Sequence, residues 1–415
     1  MTFISILFSI TINASLFSTL HLGNNMKYRN ILFVAFLMLD FSKAEFLKGV
    51  NYGNRFIPED WMTDDSNSIY GYHYGDTVQT PNDVERVSLC DVTDDRILRW
   101  LDDTVLEEDF VKMNEYGVKL LRVPTGYWNW VDLGDATPNA PDHVAARFRN
   151  LQSVKPNQYE PYIDKIFQFA QKYGIRLFPE IHGAPGSQNG EIHSGCVTGP
   201  EINGKPEHYF NTDWNKQIAV ETVGKIAEKC SQYPEVCWGI GVLNEPQPSG
   251  NGAPPNDDQL HQFLDQYYDE AIRRIRETLS WDFPVVLFSW TYDFNRWADQ
   301  RYPYSQYGNI VWDTHTYTGG SDNLEMVLSF YDWDLLQISS FQGRQAAPVI
   351  VGEFAFSNLN RGEQETEIWQ EYVDRIFPKF QQQVQAGALI WNFDCQYASW
   401  SMKGLAEKMH VKWNL

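Results

Sequence analysis

The chain has 415 residues, 43% hydrophobic and 21% charged, enough apolar side chain for a large core and a composition that argues against global disorder. Acids outnumber bases 54 to 33, and a formal charge of -21 is the wrong sign for a surface that grips phosphate backbones or anionic headgroups, so nucleic acid is not an expected partner. Aromatic residues make up 15%, including 15 Trp and 22 Tyr, a supply suited to stacking on flat apolar faces.

Two apolar runs open the chain, Phe3 to Ile12 and Ile31 to Leu39, and neither reaches the roughly 20 residues of a spanning helix. The second follows Met26, Lys27 and Arg29 and ends before Ser42-Lys43-Ala44, the layout of a secretory leader with cleavage after Ala44. Residues 1–44 are therefore expected to be a signal peptide or leader, with an internal start at Met26 or an uncleaved anchor as variants, and residues 45–415 the working domain. Five cysteines stand at 90, 196, 230, 237 and 395. An oxidising compartment would pair four of them, and Cys230 with Cys237 is the expected near pair because they bracket a helix end and the next strand. No Cys/His spacing suggests zinc, so neither a metal nor a cofactor is expected.

Beyond residue 45 short β-rich runs alternate with amphipathic helical runs. Strands are predicted at Leu47–Asn51, Lys119–Pro124, Arg176–Ile181, Val236–Leu243, Val285–Ser289, Ile310–Asp313, Val349–Gly352 and Ala388–Phe393. Helices are predicted between them, for example at Glu107–Glu115, Tyr162–Tyr173, Trp214–Gln232, Gln259–Thr278 and Glu363–Gln385. Eight such units imply an α/β fold, a single-domain (β/α)8 TIM barrel with elaborated loops. Reactive groups should then lie at the C-terminal strand ends, where the sequence carries Asn51, Arg122, His182, Asn244, Glu245, His315, Tyr317, Glu353 and Trp391.

Glu245 and Glu353 each follow an apolar strand, where a carboxylate is costly unless partnered or functional. Such a pair can cleave a glycosidic bond, one protonating the leaving oxygen and the other attacking the anomeric carbon. Asn244 could bond a sugar hydroxyl beside the acid, and Arg122 or Tyr317 could hold Glu353 ionised. His182 and His315 lack a partner at ligand spacing and read as orienting groups rather than metal ligands. Trp391 suits the apolar face of a pyranose. G-x-S-x-G, H-E-x-x-H, the P-loop and G-x-G-x-x-G are absent, which disfavours unrelated catalysts.

Several segments together resemble glycoside hydrolase family 5, and within it the fungal-type exo-β-1,3-glucanases. Gly49-Val50-Asn51-Tyr52-Gly53 resembles that branch's opening G-V-N-L-G, and Arg122-Val123-Pro124-Thr125-Gly126-Tyr127-Trp128 its R-I-P-I-G-Y-W. The loop from His182 to Gly190 reads H-G-A-P-G-S-Q-N-G, as the branch does, and Leu243-Asn244-Glu245-Pro246 resembles the acid/base motif. His315-Thr316-Tyr317 resembles H-x-Y, Val351-Gly352-Glu353-Phe354 the nucleophile motif, and Trp391-Asn392-Phe393 the W-N-F of the last strand. The resemblance implies Glu245 as general acid/base and Glu353 as nucleophile. It further implies substrate contacts from Glu59, Trp61, Arg122, His182, Asn244, His315, Tyr317 and Trp391. A retaining mechanism, with carboxyl groups about 5–5.5 Å apart, would follow. The branch's acceptor-side aromatics are replaced here by Glu191-Ile192 and Thr318-Gly319-Gly320. The expected protein is a secreted or wall-associated, monomeric β-1,3-glucan hydrolase with no obligate protein partner. A β-1,4-glucanase or another β-glucoside or β-mannoside hydrolase of the same family, or an endo-acting β-glucanase, is the alternative, and a catalytically dead sugar-binding relative a third reading.

Overall fold

The computed structural model describes residues 45–63, 69, 89–92, 95–137, 141–196, 201–202, 205–206, 209–247, 257–297, 301–345 and 347–415. The expected leader lies outside them. Among the described residues eight parallel strands close into a barrel: β1 (Leu47–Asn51), β2 (Leu120–Gly126), β3 (Arg176–Gly183), β4 (Ile240–Gly241), β5 (Val285–Phe288), β6 (Ile310–His315), β7 (Val349–Phe354) and β8 (Gly387–Ile390). Each pairs with its sequence neighbours, and β8 returns to β1 with Gly387 opposite Leu47 and Ile390 opposite Val50. The expected TIM barrel is the observed fold. No helix among the described residues is long and apolar enough to cross a membrane.

Parallel strands covered on both faces read as continuous apolar runs, which is why Val285–Phe288 and Val349–Phe354 are buried along their whole length. The helices end where the chain dictates. Glu107–Glu115 carries three acids in its first turn, favourable at the positive end of the helix dipole. Pro156–Tyr173 begins on proline and stops at Gly174, whose φ of 66° suits a residue without a Cβ. Asp213–Ser231 is capped by Thr212, which accepts from the Asn215 amide.

Three predicted strands are shorter than expected: Val285–Ser289 stops at Phe288, Ala388–Phe393 is replaced by Gly387–Ile390, and Val236–Leu243 shrinks most. Of Val236–Leu243 only Ile240–Gly241 joins the ladder, with Cys237 forming an isolated bridge to Leu177. The Tyr267 hydroxyl donates to the Val242 carbonyl at 2.6 Å, so a side chain takes an acceptor that a longer strand would have offered to its neighbour. Cys230 pairs with Cys237 as expected, Cys90 pairs with Cys196, and Cys395 is a buried thiol.

The main core fills the space between sheet and helices, and a second cluster plugs the barrel interior. Leu47, Leu120, Phe178, Val286, Val311, Ile350 and Leu389 supply that plug, one residue each from seven strands. Each side chain so buried contributes roughly 1.5–3 kcal/mol. Strand side chains alternate, so the residues two positions further on face the same interior. Among them are Arg122, Glu180 and Asp313, a group of charges directly above the apolar layer, with Gly352 beside them. Small residues make room for it: a Cβ on Gly241 would meet Glu180 at 2.6 Å, and one on Gly352 would meet the Asp313 carboxylate at 2.3 Å.

Candidate active site

Arg122 is the hub of the polar layer and is fully buried. Its Nη1 donates to Glu353 Oε1 at 2.5 Å and Asn51 Oδ1 at 2.8 Å, and its Nη2 donates to Asn244 Oδ1 at 2.7 Å. The same Nη2 lies 2.7 Å from Glu180 Oε1, and Nε lies 3.9 Å from Asp313 Oδ2. Burial alone would weaken such a cation, but Glu180, Glu353 and Asp313 together raise its pKa above the usual arginine value.

Strict alternation from Ile350 would turn Glu353 out of the barrel. A register shift prevents this: Thr314 pairs with Val351, but His315 pairs with Glu353, so β7 carries one extra residue. The pairing with β8 shifts at the same place. Such a bulge re-aims the side chain that follows it. Glu353 consequently meets Arg122 through Oε1 and accepts from the Tyr317 hydroxyl through Oε2 at 2.7 Å.

Glu245 is held differently. It lies beyond the end of β4 at a φ of 41°, a left-handed backbone that a glutamate adopts only when its surroundings impose it. The loop after β3 imposes it. Gln188 Nε2 donates to the Asn244 carbonyl at 3.0 Å, Asn189 Nδ2 donates to the Glu245 carbonyl at 3.2 Å, and the Gln247 amide donates to the Gln188 carbonyl at 3.1 Å. The H-G-A-P-G-S-Q-N-G run is thus a scaffold for the Asn-Glu-Pro turn. The Glu245 side chain lies 2.5 Å from His315 Nδ1 through Oε1 and 3.3 Å from His193 Nε2 through Oε2.

Around these groups the structure brings together all the residues expected at the site. His182 Nδ1 lies 2.7 Å from Glu180 Oε1, and Asn244 Nδ2 lies 3.5 Å from His182 Nε2. Glu59 is buried and accepts from Trp61 Nε1 at 2.8 Å, and Trp61, Trp400 and Tyr317 form a chain of ring contacts. Trp391 is only 4% exposed and stacks on His182 with ring centroids 5.6 Å apart, making a floor rather than an open face. Tyr317, 44% exposed, is the aromatic that opens to solvent.

Charge follows geometry. Burial would raise the Glu245 carboxyl, but the adjacent His315 pushes it down, to about 2. Burial would lower His315, yet Glu353 and Glu245 carry it up to about 10. Together the two shifts put the hydrogen of this contact on His315 Nδ1, which donates to Glu245 Oε1. Glu180 and Glu59 are each pushed up to about 7 by burial, in Glu180 against the pull of Arg122. His182 is driven well down by burial and by the charge of Arg122, and so is neutral.

Sequence reasoning missed Glu180, Asp313 and His193. The first two carried a readable signal, since each is an acid inside an apolar strand, the argument that singled out Glu245 and Glu353. His193 carried none, because a histidine in a polar loop is unremarkable.

One donor atom each from Glu245, His315 and Glu353 lies within 4.8 Å of the other two, a spacing that would admit a cation. The chemistry of the set does not fit one: the Arg122 cation already occupies Glu353 Oε1 and the Tyr317 hydroxyl its Oε2. Two carboxylates at this separation, presented at the C-terminal mouth of a (β/α)8 barrel beside Trp391 and Tyr317, are the arrangement of a glycoside hydrolase site.

The chain belongs to the cellulase family, glycosyl hydrolase family 5, whose sequence model matches residues 72–396. Among curated relatives it is 27% identical over 278 residues to glucan 1,3-beta-glucosidase 2 of Wickerhamomyces anomalus, covering 65% of this chain and 56% of that one. It is also 27% identical over 291 residues to glucan 1,3-beta-glucosidase of Blumeria graminis, covering 69% and 58%. The chain thus spans a little over half the length of these relatives. Among solved structures, the rutinosidase from Aspergillus niger superposes with a TM-score of 0.62 at 18% identity, over 85% of this chain and 90% of that one, a likeness of fold.

Proposed function

We propose that the chain is a secreted, retaining β-glycosidase that hydrolyses β-1,3-glucan by double displacement. The observation that carries the reading is the approach of one oxygen of Glu245 and one of Glu353 to within 4.8 Å. Retaining enzymes hold their carboxyl groups about 5–5.5 Å apart, whereas inverting enzymes leave about 6.5–9.5 Å for a water. Glu353, hydrogen-bonded by Arg122 and Tyr317, attacks the anomeric carbon. Glu245 gives its proton to the leaving oxygen as that bond breaks. Glu245 then takes a proton from the water that cleaves the glycosyl ester and frees Glu353.

The β-1,3 linkage is favoured by the printed names of the curated relatives and by the H-G-A-P-G-S-Q-N-G loop. Secretion is favoured by the leader pattern and by two disulfides, which persist in oxidising compartments.

Incubation with laminarin, lichenan, cellulose, mannan and aryl β-glucosides, followed by product sizing and anomer analysis, tests the reading. Laminarin should be cleaved to products that first appear as the β-anomer. Glu353→Ala should lose at least about 10⁴-fold in kcat, with azide giving the α-glycosyl azide. Cleavage of cellulose or mannan without laminarin would sink the linkage assignment, and undiminished turnover by Glu353→Ala would sink the mechanism.

A further inference from the structure

The two oxygens of Glu245 are not equivalent. Oε1 lies 2.5 Å from His315 Nδ1, while Oε2 faces His193 Nε2 at 3.3 Å. If Oε1 keeps its bond from His315, the proton that the acid hands on must sit on Oε2. The protonation of His193 therefore bears directly on the acid step.

Asn189 settles that protonation. Its Oδ1 accepts from the Glu191 amide at 3.0 Å and its Nδ2 donates to the Glu245 carbonyl at 3.2 Å, so two main-chain groups determine which end of the amide is which. The same Nδ2 lies 2.7 Å from His193 Nε2. An amide nitrogen only donates, so His193 Nε2 must accept and carry no hydrogen. A hydrogen on both atoms would set two donors against each other at that distance. The loop holding His193 is itself braced: the Ser187 and Ser194 hydroxyls lie 2.7 Å apart, Ser194 Oγ donates to the Glu191 carbonyl at 2.7 Å, and Cys196 is tied to Cys90.

We infer that His193 is a positioning residue of the acid step, a neutral imidazole whose bare Nε2 keeps the transferable proton of Glu245 on Oε2. The inference rests on the assignment of Glu245 as acid/base. With its lone pair taken by Asn189, Nε2 offers Glu245 Oε2 no hydrogen bond that would favour that oxygen as an anion. A charged His193 would act in the opposite sense, since its charge lowers the Glu245 carboxyl. In the first half-reaction the Oε2 proton passes to the glycosidic oxygen, which receives the electron pair of the breaking C–O bond. In the second, water attacks the anomeric carbon and its proton returns to Oε2, while the ester electrons return to Glu353.

The test compares His193→Ala and His193→Gln with the unaltered full chain, using laminaribiose as a poor leaving group and a dinitrophenyl β-glucoside as a good one. General acid catalysis is worth about 10²–10⁴ in rate, and only the poor leaving group needs it, so His193→Ala should lower the ratio of kcat/KM for poor over good substrate by roughly tenfold. His193→Gln, whose amide oxygen can accept the same bond, should restore the ratio to within about threefold. Equal losses on both substrates, an unmoved ratio, or no recovery with Gln overturns the inference. Glu245→Ala and Glu353→Ala run alongside separate the two failures: if they abolish turnover of laminaribiose and the His193 ratio does not move, the site reading stands and the role of His193 falls.

Discussion

The walls that carry the two glutamates differ in what holds them. Glu353 is part of a strand, its backbone laddered to His315 and its side chain seated on a buried guanidinium and a phenol. Glu245 stands outside any strand on a left-handed backbone, held by amide side chains from the loop that follows the neighbouring strand, β3. A sheet position tolerates no drift, because shifting it breaks a ladder. A loop position can be tuned one hydrogen bond at a time. The difference suits the roles proposed for them, since an attacking anion needs a fixed line of approach and an acid that later acts as base needs an adjustable proton.

Breaking the sheet side should cost most. Arg122→Met leaves Glu353, Glu180 and Asp313 without their shared cation and should lower stability by about 3–5 kcal/mol in urea denaturation, with kcat falling about 10³-fold. An unchanged midpoint would show that the wall does not depend on this ion cluster.

The rim adds a pH-dependent contribution. Glu59 ionises near 4.5 when exposed and is pushed up to about 7 by burial in the folded chain. The folded state therefore holds an extra proton between those values. The stabilising contribution is fully present below about pH 4.5 and is lost as the pH rises through about 7, on the order of 3 kcal/mol in all. Glu59→Gln should flatten that part of a plot of unfolding free energy against pH, and an unaltered slope between pH 5 and 8 would contradict the assignment.

On the loop side the smallest change is expected. Gln188→Ala removes donors from the His182 and Asn244 carbonyls and the acceptor for the Ala184 amide, a cost of about 1–3 kcal/mol. If the loop shapes the Asn-Glu-Pro turn, kcat should drop about tenfold while the affinity for a ground-state inhibitor such as glucose stays near its original value. Parallel loss of both would place Gln188 in binding instead.

Much of this was legible beforehand. β1 runs from Leu47 to Asn51 and the helix Glu107–Glu115 keeps its predicted ends, because apolar periodicity and terminal residues are local properties. Glu245, Glu353 and Arg122 announced themselves as charges at the ends of apolar strands. Glu180 and Asp313 are open to the same argument but lie within β3 and β6, where the surrounding apolar run masks a single acid. The truncation of β4 was not legible, since it depends on Tyr267 reaching Val242 from a distant helix.

By itself the sequence determined the barrel, the period-two layering that sets Arg122, Glu180 and Asp313 above an apolar plug, and the residue types available at the mouth. Tertiary structure alone decided that Glu353 points inward, through an extra residue in β7, and that His193 faces Glu245 as an acceptor. The reason is that alternation and helix capping act between neighbours in the chain. A bulge, a left-handed glutamate and the direction of an amide are imposed by partners that only folding brings near.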